Sequence, residues 1–587
     1  MGEKSRFSLI VSDSPLSPLH ALRQKLLRHA LDGWLLPHQD MFQGEYLVEH
    51  DEWIQWLTGF SGSAGFAIVL DDKAAVFVDG RYTLQAGQQV DRKLFELHPL
   101  GSEKQWLKEN ADPQGVIGFD PWVFTEKDLK GFKQAYSCLN PMPQFLDSLW
   151  ERRPSHPQTR LFDQSPLYTG VSALEKLEML RKNLSTKDVD AFLLPPESWA
   201  WLLNVRGSDL PYTPLSQGFA WITQKSVDLF LHQTQQEREG VHSHRIEDLE
   251  TFLLTQRHVT LGYDPYQTPV AVVQLFPKKH AMRDPCLLMK ACKNAVEIEG
   301  AKQAHIKDAV AWCFFWYWLE EQVHQKKSLT ELDIVSKIRD ARQQQEGFHC
   351  LSFSTIAGSG PNGAIVHYKP ELTTNRAISA HDLLLIDSGG QYLEGTTDVT
   401  RTLAIGTPTQ EMKHHYTLVL RGHSAIASVI FPKGTSGAQL DVLARHALWQ
   451  EKLNYTHGTG HGVGSFLSVH EGPQSISKQG DEPLQPGMIL SNEPGYYKEG
   501  CYGIRIENLI YVIDFSDGWY GFENLTLIPF DKHLVAWELL TSKEIQWLRT
   551  YHQKIYETLK DAIPHPMREW FYHKCHSFIF AETFPKG

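Results

Sequence analysis

A chain of 587 residues is too long for one core, and at about 150 residues per domain it should hold about four domains. Apolar residues at 42% and charged residues at 21% exclude wholesale disorder, and 57 Lys+Arg against 69 Asp+Glu, net −12, excludes a nucleic-acid binder led by a basic surface. Seven cysteines exclude a disulfide scaffold and fit a reducing compartment.

The opening Met1-Gly2-Glu3-Lys4-Ser5-Arg6 has no apolar signal region, and Arg6 breaks the myristoylation pattern, so a cytoplasmic location is expected. The first half carries a faint internal repeat. Asp32-Gly33-Trp34-Leu35-Leu36-Pro37 matches Asp190-Ala191-Phe192-Leu193-Leu194-Pro195, and Gly65-Phe66-Ala67 matches Gly218-Phe219-Ala220. Each copy opens with a helix-like stretch, 19–31 and 173–184, followed by short apolar strands, which predicts two similar α/β domains at 1–155 and 156–290. Arg153-Pro154-Ser155-His156-Pro157 is the linker between them.

A different pattern begins near Lys293 and predicts an α+β domain over 291–587. Residues 294–323 read as one long helix, and the spacing of Thr330 and Asp333 opens a second helix as a capping box. The longest apolar run, 309–319, has eleven residues, short of the about 20 needed to span a bilayer. It therefore predicts no membrane partner but a buried or interface helix, compatible with a homodimer. Strands are expected at 364–367, 383–387, 397–402, 488–492 and 504–512, with helices at 410–430 and 437–451.

Several motifs fail. Gly358-Ser359-Gly360-Pro361-Asn362-Gly363 matches G-x-G-x-x-G, but a strand-like stretch follows it where a dinucleotide site needs a helix. No Walker A sequence, no H-E-x-x-H, no G-x-S-x-G and no C-x-x-C occurs.

The chemistry lies in four segments that place His, Asp and Glu in apolar or glycine-rich settings. They begin at Ile365-Val366-His367-Tyr368, Leu384-Leu385-Ile386-Asp387, His457-Gly458-Thr459-Gly460-His461-Gly462 and Ser491-Asn492-Glu493-Pro494. The second continues to Asp398 and Arg401, the third to His470, and the fourth to Arg505 and Glu507. Asp387 ends an apolar run, Ser388-Gly389-Gly390 turns the chain, and Asp398 lies on the return. Paired strands lie about 4.8 Å apart, so the two carboxylates can share a face. Two anions placed so repel unless a cation holds them. Glu493 and Glu507 repeat the arrangement, one at a strand end and one inside a strand. Four carboxylates and one imidazole balance two divalent cations. The oxygen-rich set favours Mn²⁺, with Zn²⁺ or Co²⁺ as alternatives, and two metals about 3.5–4 Å apart generate a hydroxide and polarise a carbonyl. Singly, Asp387 reads equally as a turn residue, His461 as a hydrogen-bonded core histidine, and Glu507 as an ion-pair partner of Arg505 or Arg401.

Together, HGTGHGVGSF, VHEGP, EPGYY and GIRIEN resemble the pita-bread metallopeptidase family, M24B, and within it the three-domain, cytosolic Xaa-Pro aminopeptidases. The family pattern of Asp, Asp eleven residues on, His in a glycine-rich loop and two Glu falls on Asp387, Asp398, His461, Glu493 and Glu507. Asp79-Gly80-Arg81-Tyr82 and Arg206-Gly207-Ser208-Asp209 extend the resemblance through 1–562, while the aromatic tail 564–587 departs from the family's usual ending.

The resemblance implies two creatinase-like domains, a pita-bread catalytic domain, and hydrolysis of the N-terminal Xaa-Pro bond of peptides through a hydroxide bridging two metal ions. Asp387 would chelate one metal and His461 the other, Asp398 and Glu507 would bridge, and Glu493 would ligate and act as general base, then acid. His367 and His470 would stabilise the oxyanion or aid proton transfer. Tyr497 and the two histidine faces would wall the proline pocket, Arg81 would reach substrate, and Arg401 and Arg505 would hold the acidic ligands. A prolidase shares the metal site, a creatinase-like amidinohydrolase shares the fold without metals, and scaffold relatives have lost the ligands.

Overall fold

The computed structural model describes residues 17–235 and 238–580. Met1 to Arg6 and the last part of the aromatic tail, 581–587, lie outside them. The chain forms two compact units, 1–156 with 269–271, and 157–268 with 272–587.

In the first unit a six-stranded sheet runs in the order Glu96–Pro99, Ala74–Val78, Gly65–Leu70, Gly33–Pro37, Ile117–Phe119, Leu139–Pro141. Its four inner strands are apolar almost throughout because both faces are covered. Phe66, Ile68 and Leu70 enter one core, while Ala67 and Val69 enter the other, as a period of two requires. The second unit repeats this sheet in the same order and with the same strand directions: Val241–Arg245, Val227–Leu231, Gly218–Thr223, Ala191–Leu194, Leu261–Tyr263, Lys279–Ala281.

The repeated aspartate has one job in both copies. Asp32 Oδ2 accepts from the Val116 amide at 2.6 Å, and Asp190 Oδ2 accepts from the Thr260 amide at 2.7 Å. Each carboxylate thus ties the strand it precedes to the start of the parallel strand beside it.

The remainder of the second unit is antiparallel sheet under helices. The helix Ala295–His324 is capped by Asn294, which accepts from the amides of Val296 and Glu297. Thr330 opens Glu331–Gln343, its amide donating to Asp333 Oδ2 at 2.8 Å. A three-stranded sheet joins Ile356–Ser359, Leu383–Ser388 and Val399–Ala404. A six-stranded sheet joins Ile430–Pro432, Trp519–Asn524, Asn508–Asp514, Ile489–Asn492, Gly460–Gly462 and Glu471–Ile476.

Two expectations change and one is narrowed. The strand expected at 364–367 is a 3-10 turn, Gly360–Ala364, followed by a bend, because Pro361 fixes φ and Gly360 takes φ +53°. The strand expected at 504–512 is two strands, Tyr502–Arg505 and Asn508–Asp514, in different sheets, and Glu507 sits at the break between them. Of its two readings the run 309–319 takes the buried helix: Ala309, Trp312, Phe315, Trp316 and Leu319 lie in the core, while Phe314, Tyr317 and Trp318 are partly exposed at its edge.

The aromatic tail also has a place. Helix Arg568–Ile579 packs on Ser542–Leu559 and buries Phe571, Cys575 and Phe578, and Trp570 Nε1 donates to Glu320 at 2.7 Å. Among the described residues no helix is long and apolar enough to cross a membrane.

Candidate active site

The site is assembled from both antiparallel sheets. Asp387 pairs across the three-stranded sheet with Thr400, and Asp398 stands two residues before Thr400, on the same face and diagonal to Asp387. A small hairpin, Gly390–Tyr392 with Gly395–Thr396, connects them. Gly389 allows this turn, since a Cβ there would lie 2.0 Å from Thr397 O.

From the six-stranded sheet come His461, Glu493 and Glu507. His461 is flanked by Gly460 and Gly462 because two strands press on its own: a Cβ at Gly460 would lie 1.9 Å from Ser491 O, and one at Gly462 2.2 Å from Glu471 O. His461 Nδ1 lies 2.9 Å from Gly462 O, so it carries the proton and donates there. Nε2 faces the carboxylates, 3.5 Å from both Asp398 Oδ2 and Glu493 Oε1, where it donates when protonated and offers its lone pair to a cation when neutral. Ligand atoms of Asp398, His461 and Glu507 all lie within 4.8 Å of one another.

The supporting contacts are specific. Arg505 Nη2 donates to Asp387 Oδ2 at 2.7 Å, Thr400 Oγ1 donates to Glu507 Oε2 at 2.7 Å, and Ser491 Oγ donates to Glu493 Oε1 at 3.1 Å. Asp387 Oδ1 and Asp398 Oδ1 are buried and meet no hydrogen-bond donor among the described residues. A buried carboxylate oxygen without a donor is costly unless a cation meets it. The donor set of hard carboxylates and one imidazole fits divalent metal ions.

The electrostatics agree. Burial pushes the Asp387 carboxyl up to about 7 against the opposing Arg505 guanidinium, with Asp398 adding to the rise. Burial and the neighbouring anions likewise raise Glu493 and Glu507. Burial disfavours protonated His461, yet the hydrogen bond to Asp398 and the charges of Glu493 and Asp398 outweigh it and raise the ring to about 9.

A prediction follows for metal-free protein. The folded state holds protons that the unfolded state releases, on Asp387 between 3.8 and about 7 and on His461 between 6.5 and about 9. Its stability is therefore greatest at low pH in this window and falls as pH rises through those values. Thermal unfolding in chelator from pH 5 to 9 should show this decline, and a saturating divalent cation should flatten it. An unchanged slope on adding the cation would contradict metal binding here.

The other expected residues fall as follows. His470 meets His461 edge-on, with ring centroids 4.4 Å apart. His367 is half-buried and follows Val366, whose carbonyl accepts from Arg505 Nη1 at 3.3 Å. Tyr497 packs beside Ile356, Tyr368 and Leu385, and its hydroxyl accepts from Arg505 Nη1 at 2.7 Å. Arg505 touches a ligand carboxylate, whereas Arg401 holds main chain: its Nη1 donates to the Glu507 and Thr400 carbonyls. Arg81 lies in the first unit, paired with Asp79 at 2.7 Å.

Sequence reasoning missed Thr400 and His457. Thr400 shares its strand face with Asp398, which the alternation could have revealed. His457 Nε2 lies 2.8 Å from Tyr497 Oη, across forty residues of chain, and nothing local signals that.

Fold and site together define a protein that gathers buried carboxylates and one imidazole as ligands for divalent metal ions. Family models match along the chain: Creatinase/Prolidase N-terminal domain at 18–148 and again at 152–297, Metallopeptidase family M24 at 299–514, and the C-terminal region of peptidase M24 at 518–578. The last match corrects the reading of the tail, most of which belongs to a family region.

A probable Xaa-Pro aminopeptidase P of Laccaria bicolor is 38% identical, covering 95% of this chain and 92% of its own. Aminopeptidase P2 of Arabidopsis thaliana is 36% identical, covering 91% and 84%. The crystal structure of X-prolyl aminopeptidase from Caenorhabditis elegans, described as a cytosolic enzyme with a di-nuclear active site, superposes with a TM-score of 0.89 at 32% identity, covering 93% of this chain and 95% of its own.

The chain belongs to metallopeptidase family M24, with two creatinase-type N-terminal domains preceding a pita-bread catalytic domain. It is a metallo-aminopeptidase that uses divalent metal ions.

Proposed function

We propose that this enzyme removes the N-terminal residue from peptides whose second residue is proline, with two divalent cations, Mn²⁺ foremost, held by Asp387, Asp398, His461, Glu493 and Glu507. The carrying observation is that Asp387 Oδ1 and Asp398 Oδ1 are buried without a donor among the described residues, while ligand atoms of Asp398, His461 and Glu507 lie within 4.8 Å of one another. Bound divalent cations supply Lewis acidity and make water nucleophilic near neutral pH.

The chain's own residues do the rest. Glu493, held by Ser491 Oγ, takes the proton of the attacking water and returns it to the proline nitrogen as that bond breaks. His470, set against His461, and His367 donate to the oxyanion. An Xaa-Pro bond offers no N–H, so selectivity comes from shape. Tyr497, fixed by Arg505 and His457, walls the ring pocket. We place the domains at 1–155, 156–290 and 291–587, and the enzyme in the cytoplasm as a homodimer.

The test compares an Arg-Pro-Pro peptide with Arg-Ala-Pro, each with Mn²⁺ and with chelator. Cleavage of the first only, abolished by chelator, is expected, and equal cleavage of both removes proline specificity. An Xaa-Pro dipeptide cut faster than the tripeptide would instead make it a prolidase.

A further inference from the structure

Between His461 and His470 the chain makes a turn that ends with His470 against the His461 ring. Inside it the Gly464 amide donates to Ser468 O at 3.0 Å, and Gln391 Nε2 donates to Leu467 O at 2.7 Å. Phe466 takes φ +51°, a conformation that a large L-residue adopts only when its surroundings impose it. The carbonyls of Ser465 and Phe466 themselves are held from the 157–268 segment.

Arg206 is buried, and among the described residues no carboxylate pairs with its guanidinium. Its Nε donates to Phe466 O at 2.6 Å and its Nη2 to Ser465 O at 3.0 Å, while Nη1 is used on Ala200 O and Val205 O. Burial depresses its pKa to about 9. A buried, unpaired guanidinium is expensive, so its placement on two strained-turn carbonyls calls for a purpose. Leu467, the next residue, is buried in the apolar core of that same segment, with Leu194, Trp199 and Leu202.

A second clamp follows. Ser468 Oγ donates to Glu197 Oε1, and Glu197 Oε2 pairs with Lys290 at 3.2 Å. Lys290 and Lys293 both pair with Glu471, the residue after His470, at 3.0 and 2.5 Å. All three side chains are buried, and the two ammonium groups hold the Glu471 carboxyl below its usual range although burial opposes this.

We propose that Arg206 and Glu197 are positioning residues for His470: the second creatinase-type domain holds the turn 464–471 in the one shape that presents this imidazole to the reacting bond. The inference rests on the reading of His470 as a site residue. It gives that domain a part in catalysis and gives Arg206-Gly207-Ser208-Asp209 a physical role.

The test uses the full-length, metal-loaded enzyme and an Xaa-Pro tripeptide. Arg206→Lys and Glu197→Gln should each lower kcat about tenfold or more, with KM and bound metal within about twofold of the parent. Glu197 is partly exposed, so Glu197→Gln keeps the test open if Arg206→Lys fails to fold. On a His470→Ala background the same substitutions should cost nothing further, because the group they position is gone. Full kcat in Glu197→Gln, or losses that add to that of His470→Ala, would overturn the proposal. If His470→Ala itself kept full kcat, the reading of His470 would fall and the inference with it, a result distinct from the others.

Discussion

Asp398→Ala should lower metal-dependent hydrolysis by at least about a thousandfold, about 4 kcal/mol of transition-state stabilisation. Asp398 stands between the two sheets' contributions, diagonal to Asp387 and 3.5 Å from His461 Nε2. Removing it deprives the cation site of its central carboxylate. The fold should not suffer. In metal-free protein the four clustered acids repel one another, which is why burial and charge raise Asp387, Glu493 and Glu507. Deleting one anion relieves that repulsion, so the chelated variant should melt no lower than the chelated parent. What should shrink is the rise in Tm on adding Mn²⁺. Activity with excess Mn²⁺, bound metal per chain, and Tm with and without cation measure all three. Full activity in this variant would remove the metal assignment.

Measured well above pH 7, where Asp387 is ionised, Arg505→Met should cost about 3–5 kcal/mol of stability in chelator, because it strands a buried carboxylate. The guanidinium reaches Asp387 at 2.7 Å, Tyr497 Oη at 2.7 Å, Thr400 Oγ1 at 3.2 Å and Val366 O at 3.3 Å. Its loss leaves Asp387 facing Asp398 with no counter-charge. A saturating divalent cation supplies one, so much of the deficit should vanish in Mn²⁺. Denaturant unfolding under both conditions reads the difference. An equal deficit with and without cation would mean that Asp387 does not face the metal.

Much of this site is legible in the chain because the signals are local. Asn294 and Thr330 open helices through bonds to amides two and three residues on or back, so spacing alone reveals them. Gly389 and the glycines beside His461 mark close backbone approach, although the partner atoms, Thr397 O, Ser491 O and Glu471 O, are not written nearby. The run 504–512 misleads because its alternation continues unbroken while its pairing does not. Arg505 pairs with Gly495 in one sheet and Asn508 with Asn492 in another. The run 309–319 is apolar whether a helix faces a partner or its own core, and only packing separates the two cases.

By itself the sequence determined which residue types carry the chemistry, their order, and the caps and turns that set them on strands, because these depend on neighbours a few residues apart. Tertiary structure alone decided which carboxylate oxygens are stripped of donors, which guanidinium meets a ligand and which meets main chain, and that Arg206 grips a turn some 260 residues away. The reason is physical: those outcomes depend on how two sheets and a preceding domain close around one point, and closure is a property of packing rather than of any local stretch of chain.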